Sequence, residues 1–164
     1  MKPGTQWVRA CILCLTSVAV FGYFVTHLRP VLDDQRAKHS FFELRDQARR
    51  LFSEGKVTEV MPHLQMCLTL VRKNNWPGEY KARIHLDIAK FDSNFGDHDA
   101  GVQELELAEK SLVSASDSDL HRDVLQDLVV IYESAGVKEK EVYYRTRLSE
   151  LRGRLKTKRA NDAN

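Results

Sequence analysis

Apolar and polar positions divide the chain into one continuous apolar segment and a longer part with helical periodicity. From residue 41 to residue 156, apolar residues recur at spacings of three and four, which indicates helices that each bury one face. Short breaks containing Gly, Pro, Asn or Asp separate these stretches. The breaks predict six helices, which run from Ser40 to near Gly55, over 58–72, up to Asn94, from about 98 to 113, up to Ala135, and over 138–156.

Three turn glycines give the periodic part its strongest internal regularity. Gly55, Gly96 and Gly136 are spaced 41 and 40 residues apart, and a period of this size indicates stacked units of supersecondary structure. Compact residues recur seven positions before and twelve positions after the glycines, where they allow the two helices of a hairpin to approach closely. These residues are Ala48, Ala89 and Val129 before the glycines, and Cys67, Ala108 and Leu148 after them.

This arrangement of glycines and compact residues resembles the tetratricopeptide repeat over residues 41–156. The period of about 40 and the segment 141–148 are similar to the longer repeats of kinesin light chains. The resemblance implies an all-α fold of about three helical hairpins in a right-handed superhelix. The sequence departs from the pattern at Asp92, Gly101, Glu141 and Arg145. A generic helical bundle, in which the glycines are ordinary helix caps, is the alternative.

The apolar segment covers residues 10–28 and contains no formal charge between Arg9 and Arg29. At about 1.5 Å per residue it reaches roughly 28 Å, close to the thickness of a bilayer core. It predicts a transmembrane anchor with a single-pass membrane localisation and the repeat domain on the non-cytoplasmic side. A signal peptide cleaved after Gly22 and a buried core helix are the alternatives. The remaining divisions are a tail (1–9), a linker (29–40) and a disordered polar tail (157–164).

Charge and motifs exclude several classes of function. Lys and Arg total 25 against 23 Asp and Glu, which gives no electrostatic footprint for nucleic acid. Motifs for phosphate binding, zinc binding and nucleophilic catalysis are absent from the sequence, so no catalytic residue, cofactor or metal is predicted. Asp97 follows a turn glycine and is predicted to cap the next helix. Cys67 has no cysteine near it in the periodic part with which to form a disulfide.

Protein binding is the function that the repeat resemblance implies. It predicts a membrane-anchored scaffold or adaptor in assembly, translocation or chaperone-like roles, which contacts the bilayer through residues 10–28 and a protein partner through a concave groove. The alternatives are a secreted or periplasmic repeat protein and a non-catalytic subunit of a membrane enzyme complex. Self-association through the last hairpin is a third interaction, suggested by Val142, Tyr143, Leu148, Leu151 and Leu155.

The resemblance also assigns the residues that face the groove from the first helix of each hairpin. Those of the first two hairpins include four cations and two aromatic rings, which favour an acidic partner segment with apolar anchors. They are Phe42, Arg45, Arg49, Phe52, Arg83, Leu86, Lys90 and Asn94. The third hairpin would contribute Asp123, Gln126, Val130 and Glu133, so the groove is predicted to be basic at one end and acidic at the other.

Overall fold

The part of the chain that the structure describes is entirely helical. In the computed structural model, residues 23–113 and 118–162 are described. A short π-helical segment, Phe24–Leu28, precedes six α-helices in these residues. The helices are α1 (Arg29–Ser53), α2 (Val57–Lys73), α3 (Gly78–Asn94), α4 (His98–Leu112), α5 (Ser118–Ser134) and α6 (Lys138–Asp162). The all-α prediction is therefore confirmed, whereas the handedness of a superhelix and the tetratricopeptide resemblance stay predictions.

The prediction of a membrane anchor is overturned. Within the described residues, every helix is too short or too polar to cross a bilayer. Of the predicted anchor, residues 10–22 lie outside the described residues, and only its last six residues fall within them. These lead directly into α1, whose first turns contain Asp33, Asp34 and Arg36, so the helix that follows the apolar run is polar. The described residues therefore contradict the predicted transmembrane helix, and with it the predicted signal-anchor and single-pass membrane localisation.

The first helix begins eleven residues before the predicted start at Ser40. The predicted linker, residues 29–40, is helical because charged side chains pair along it at helical spacing. Arg29 lies 3.8 Å from Asp33, and Lys38 lies 2.8 Å from Asp34. At the other end of the chain, α6 continues to Asp162 through most of the residues predicted to form a disordered tail.

The three predicted turn glycines lie at the turns between the helices of consecutive pairs. Gly55, Gly96 and Gly136 have φ angles of 74°, 84° and 71°, a conformation that side chains with a Cβ rarely adopt. The glycine spacing therefore identified real turns. Asp97 also caps α4 as predicted, because its side chain accepts a hydrogen bond of 3.1 Å from the backbone N–H of Ala100.

The chain divides into two compact units, Met1–Glu43 and Leu44–Asn164. In the second unit, α3 packs against α4, α5 packs against α6, and α4 contacts α5. The core lies among these four helices, and the compact residues Ala89 and Ala108 both belong to it, 2% and 0% exposed. Leu148 and Leu151, which suggested self-association, are buried in the same core. Only Val142 and Tyr143 of that predicted set are strongly exposed.

Two glycines allow close contacts between α3 and α4. A Cβ at Gly78 would lie 2.0 Å from the backbone carbonyl oxygen of Ser111. A Cβ at Gly101 would lie 2.4 Å from the Ser93 hydroxyl oxygen and 3.0 Å from the carbonyl oxygen of Ala89. Gly101 stands where the repeat pattern usually has alanine. This difference has a steric cause, because α4 approaches the backbone of α3 at this point.

We expect alanine to have opposite effects at Gly78 and at Gly153. Gly78→Ala should lower the free energy of unfolding by about 1 to 3 kcal/mol, since the backbone around Ser111 must move. Gly153 lies in α6 with no atom within 4 Å of its Cβ position. Gly153→Ala should raise the free energy of unfolding by about 0.5 to 1 kcal/mol, because glycine is a poor helix former. Urea unfolding of both variants measures the difference, and equal stabilities would contradict the close contact at Ser111.

Candidate functional site

An ion pair joins the first helices of the first two hairpins. The guanidinium of Arg45 in α1 donates two hydrogen bonds to Asp87 in α3, one from Nε to Oδ2 and one of 3.1 Å from Nη2 to Oδ1. The two side chains are only 12% and 11% exposed. Paired hydrogen bonds of this kind fix both side chains, so Arg45 holds α1 in register with α3.

Asp87 also accepts a hydrogen bond of 3.2 Å from Arg49, one turn further along α1. Arg49 differs from Arg45 in that 56% of its side chain is exposed. The two predicted groove cations on α1 therefore have different positions. Arg45 is enclosed with its carboxylate partner, while more than half of the Arg49 side chain is accessible.

A cleft of about 360 Å³ opens beside this ion pair, between α1, α2 and α3. Its floor consists of Ala48, Val60 and Leu64, which are each 2% exposed. Aromatic side chains and polar groups surround the floor: Arg49, Phe52, Asp87, Lys90, Phe91 and Asn94. An apolar depression with a few polar groups at its edge is typical of ligand sites. The structure thus brings four of the predicted groove residues, Arg49, Phe52, Lys90 and Asn94, to one cleft.

Two phenylalanines that sequence reasoning did not select enlarge the aromatic surface. The ring of Phe52 lies 6.1 Å from the ring of Phe91 and 6.1 Å from that of Phe95, between centroids, and the last two rings lie 4.8 Å apart. Phe95 is 52% exposed. The spacing of four residues between Phe91 and Phe95 could have predicted this aromatic surface, because residues four apart share one side of a helix.

The other predicted groove residues lie elsewhere. Leu86 is 7% exposed and belongs to the core, and Arg83 is half-buried on α3 outside the lining of the cleft. Phe42 is 47% exposed and lies in the first compact unit, Met1–Glu43.

A second, smaller cleft of about 190 Å³ lies on the other side of Lys90, between α3, α4 and α5. Lys90 and Asn94 line both clefts, so these two residues form a ridge between them. The second cleft also contains Leu105, Asp127, Val130 and Ile131. Burial raises the pKa of Asp127, Asp123 raises it further, and the attraction of Lys90 opposes both.

A cluster of polar side chains connects the later helices. Glu106 of α4 accepts hydrogen bonds from the hydroxyls of Tyr132 and Tyr144, at 2.7 and 3.2 Å, and from Lys140 at 2.7 Å. Burial alone would raise the pKa of Glu106, but these donors lower it on balance. Because Glu106, Tyr132 and Lys140 lie on α4, α5 and α6, the cluster joins three helices and has a structural explanation.

Buried ionisable groups also lie outside the two clefts. Glu109 pairs with Arg147, and the Nε2 atom of His121 lies 3.6 Å from a Glu109 oxygen, beyond hydrogen-bonding distance. Burial raises the pKa of the Cys67 thiol to about 11, so this thiol is protonated at neutral pH. Three or more His, Cys, Asp or Glu side chains with metal-binding geometry do not occur in residues 23–113 and 118–162.

Asp87→Asn should destabilise the protein because it leaves Arg45 enclosed without a counter-charge. We expect a loss of about 2 to 4 kcal/mol in the free energy of unfolding, slightly below the cost of breaking a fully buried pair. The double variant Arg45→Met with Asp87→Leu should recover most of the loss. Asp46→Asn, at an exposed position of α1 beside Arg45, is the control. Urea unfolding should separate them, and an effect of Asp87→Asn no larger than that of Asp46→Asn would contradict the role of the pair.

Comparisons of this chain with protein-family models, with curated proteins and with solved structures found no match. The geometry of the clefts is therefore the basis for any functional conclusion.

Proposed function

We propose that this protein is a binding module, an adaptor that holds an acidic segment of a partner protein in the cleft between α1, α2 and α3. The observation that carries the proposal is the combination of an apolar floor with two accessible cations, Arg49 and Lys90, at the edge of one cleft.

The apolar part of the cleft suits the side chains of a protein segment. Val60, Leu64, Phe52 and Phe91 offer aliphatic and aromatic contacts to one or two apolar side chains. Burying a large apolar side chain contributes roughly 1.5 to 3 kcal/mol. Such anchors in a groove between helices are how amphipathic helical segments are bound in other proteins. We infer that one face of the partner segment supplies Leu, Phe or a similar residue.

The charges at the edge favour an acidic segment over a neutral one. Lys90 makes no ion pair within 4 Å with any described residue, and Arg49 shares its only described carboxylate partner with Arg45. An Asp or Glu of the ligand could accept hydrogen bonds from these exposed donors. Because both cations are exposed, each contact should contribute modestly and weaken with salt.

Selection from a random-peptide phage library on the immobilised protein tests this function. We expect the enriched peptides to combine Asp or Glu with aromatic or aliphatic residues. In fluorescence anisotropy, binding of a labelled enriched peptide should weaken as salt is raised. Arg49→Glu with Lys90→Glu should lower the affinity about tenfold or more, which corresponds to about 1.4 kcal/mol or more of binding free energy.

The matched control is Arg50→Glu with Lys81→Glu, which makes the same change of charge on the same two helices outside the lining of the cleft. Circular dichroism should show the same helix content in both variants. No enrichment above an uncoated surface, or an equal loss of affinity in the two variants, would reject the proposed function.

A further inference from the structure

The second cleft indicates that the ligand extends beyond the first one. Lys90 and Asn94 line both clefts, so a segment that leaves the cleft between α1, α2 and α3 passes directly over this ridge. On the far side it meets Leu105, Val130 and Ile131. Val130 is 57% exposed, so its side chain is accessible to a ligand in this cleft.

The sign of the charge changes across this ridge. Arg49 borders the first cleft, where the carboxylate of Asp87 is paired with Arg45, and Lys90 lies on the ridge. Asp127 borders the second cleft, and Asp123 lies one turn before it on α5. Asp123 pairs with Arg122 at 3.1 Å. Asp127 has no ion pair within 4 Å with any described residue and is half-buried in an apolar cleft. A cation of the ligand would best offset the free-energy cost of partly burying this carboxylate.

We propose that the ligand is bipolar: its acidic half lies over Arg49 and Lys90, and an adjoining half with an apolar residue and one or two basic residues occupies the second cleft against Asp127. This inference rests on the proposed function and specifies the chemistry of the partner. An entirely acidic segment would place a carboxylate beside Asp127, and an entirely basic one would place cations beside Arg49 and Lys90. Both arrangements bring like charges together, so the clefts discriminate against them.

The orientation of the ligand backbone in the clefts is not specified by these charges, so the test must examine both ends of the peptide. An acidic peptide obtained by selection on the protein is extended at its N-terminus or its C-terminus by Leu followed by two lysines. The matched peptides carry two glutamines or two glutamates instead of the lysines. Fluorescence anisotropy then gives the affinity of each peptide for the full-length protein.

We expect the lysine extension at one of the two ends to increase the affinity about five- to tenfold over the glutamine extension. The glutamate extension at that end should decrease it. In Asp127→Asn, the lysine and glutamine peptides should bind equally well. Asp119→Asn, at an exposed position of the same helix outside the cleft, should preserve the advantage of lysine.

The outcomes separate this inference from the proposed function. If the acidic peptide binds and depends on Arg49 and Lys90, but lysine brings no gain at either end or a gain that persists in Asp127→Asn, the bipolar ligand is rejected and the acidic site stands. If no enriched peptide binds the protein in solution, both the proposed function and the bipolar ligand are rejected.

Discussion

Close approach between helices is the constraint on which the rest of the structure depends. At Gly78 and Gly101 the backbones of α3 and α4 lie so near that a Cβ would meet backbone or side-chain oxygen atoms. Ala89 and Ala108 are buried in the core that these helices share with α5 and α6. A short helix in water gains most of its stability from packing one face against a neighbour. Small residues at the contacts therefore bring the helices together closely enough to bury the larger Leu, Val and Tyr side chains.

The pairing of helices also explains why the clefts lie where they do. Beside its close contacts with α4, α3 also borders one cleft with α1 and α2 and another with α4 and α5. Large side chains such as Phe52, Phe91 and Val130 line these clefts, and they are only partly covered. The clefts are thus a consequence of how the helices pack. The described residues leave the apolar surface of the clefts partly uncovered, which is the physical reason to expect a ligand.

Ion pairing within the protein determines which charged side chains of the clefts are available to a ligand. Asp87 binds Arg45 in a nearly enclosed contact, so Arg49, the other predicted groove cation on α1, is only partly neutralised. Lys90 and Asp127 influence each other through space without forming an ion pair. The enclosed pair contributes to the position of α1 against α3, and the exposed groups contribute the electrostatic character of the clefts. The carboxylate of Asp87 therefore connects the stability of the fold with the selectivity of the proposed site.

The sequence by itself determined the features that depend on neighbours along the chain. The turns at Gly55, Gly96 and Gly136 could be predicted because a positive φ angle selects glycine locally, and the Asp97 cap depends only on the next three residues. Helix periodicity located the bounds that it gave for α2 to α5 closely, but it ended α6 six residues early. It also missed the start of α1, where ion pairs such as that of Arg29 with Asp33 support helix in a polar stretch. Of the apolar residues 10–28, only the last six belong to the described part of the chain, in which no helix is long and apolar enough to cross a membrane. Only the tertiary structure decided which groove residues are accessible, because the partner of Arg45 lies 42 residues away in sequence, and no local pattern records that contact.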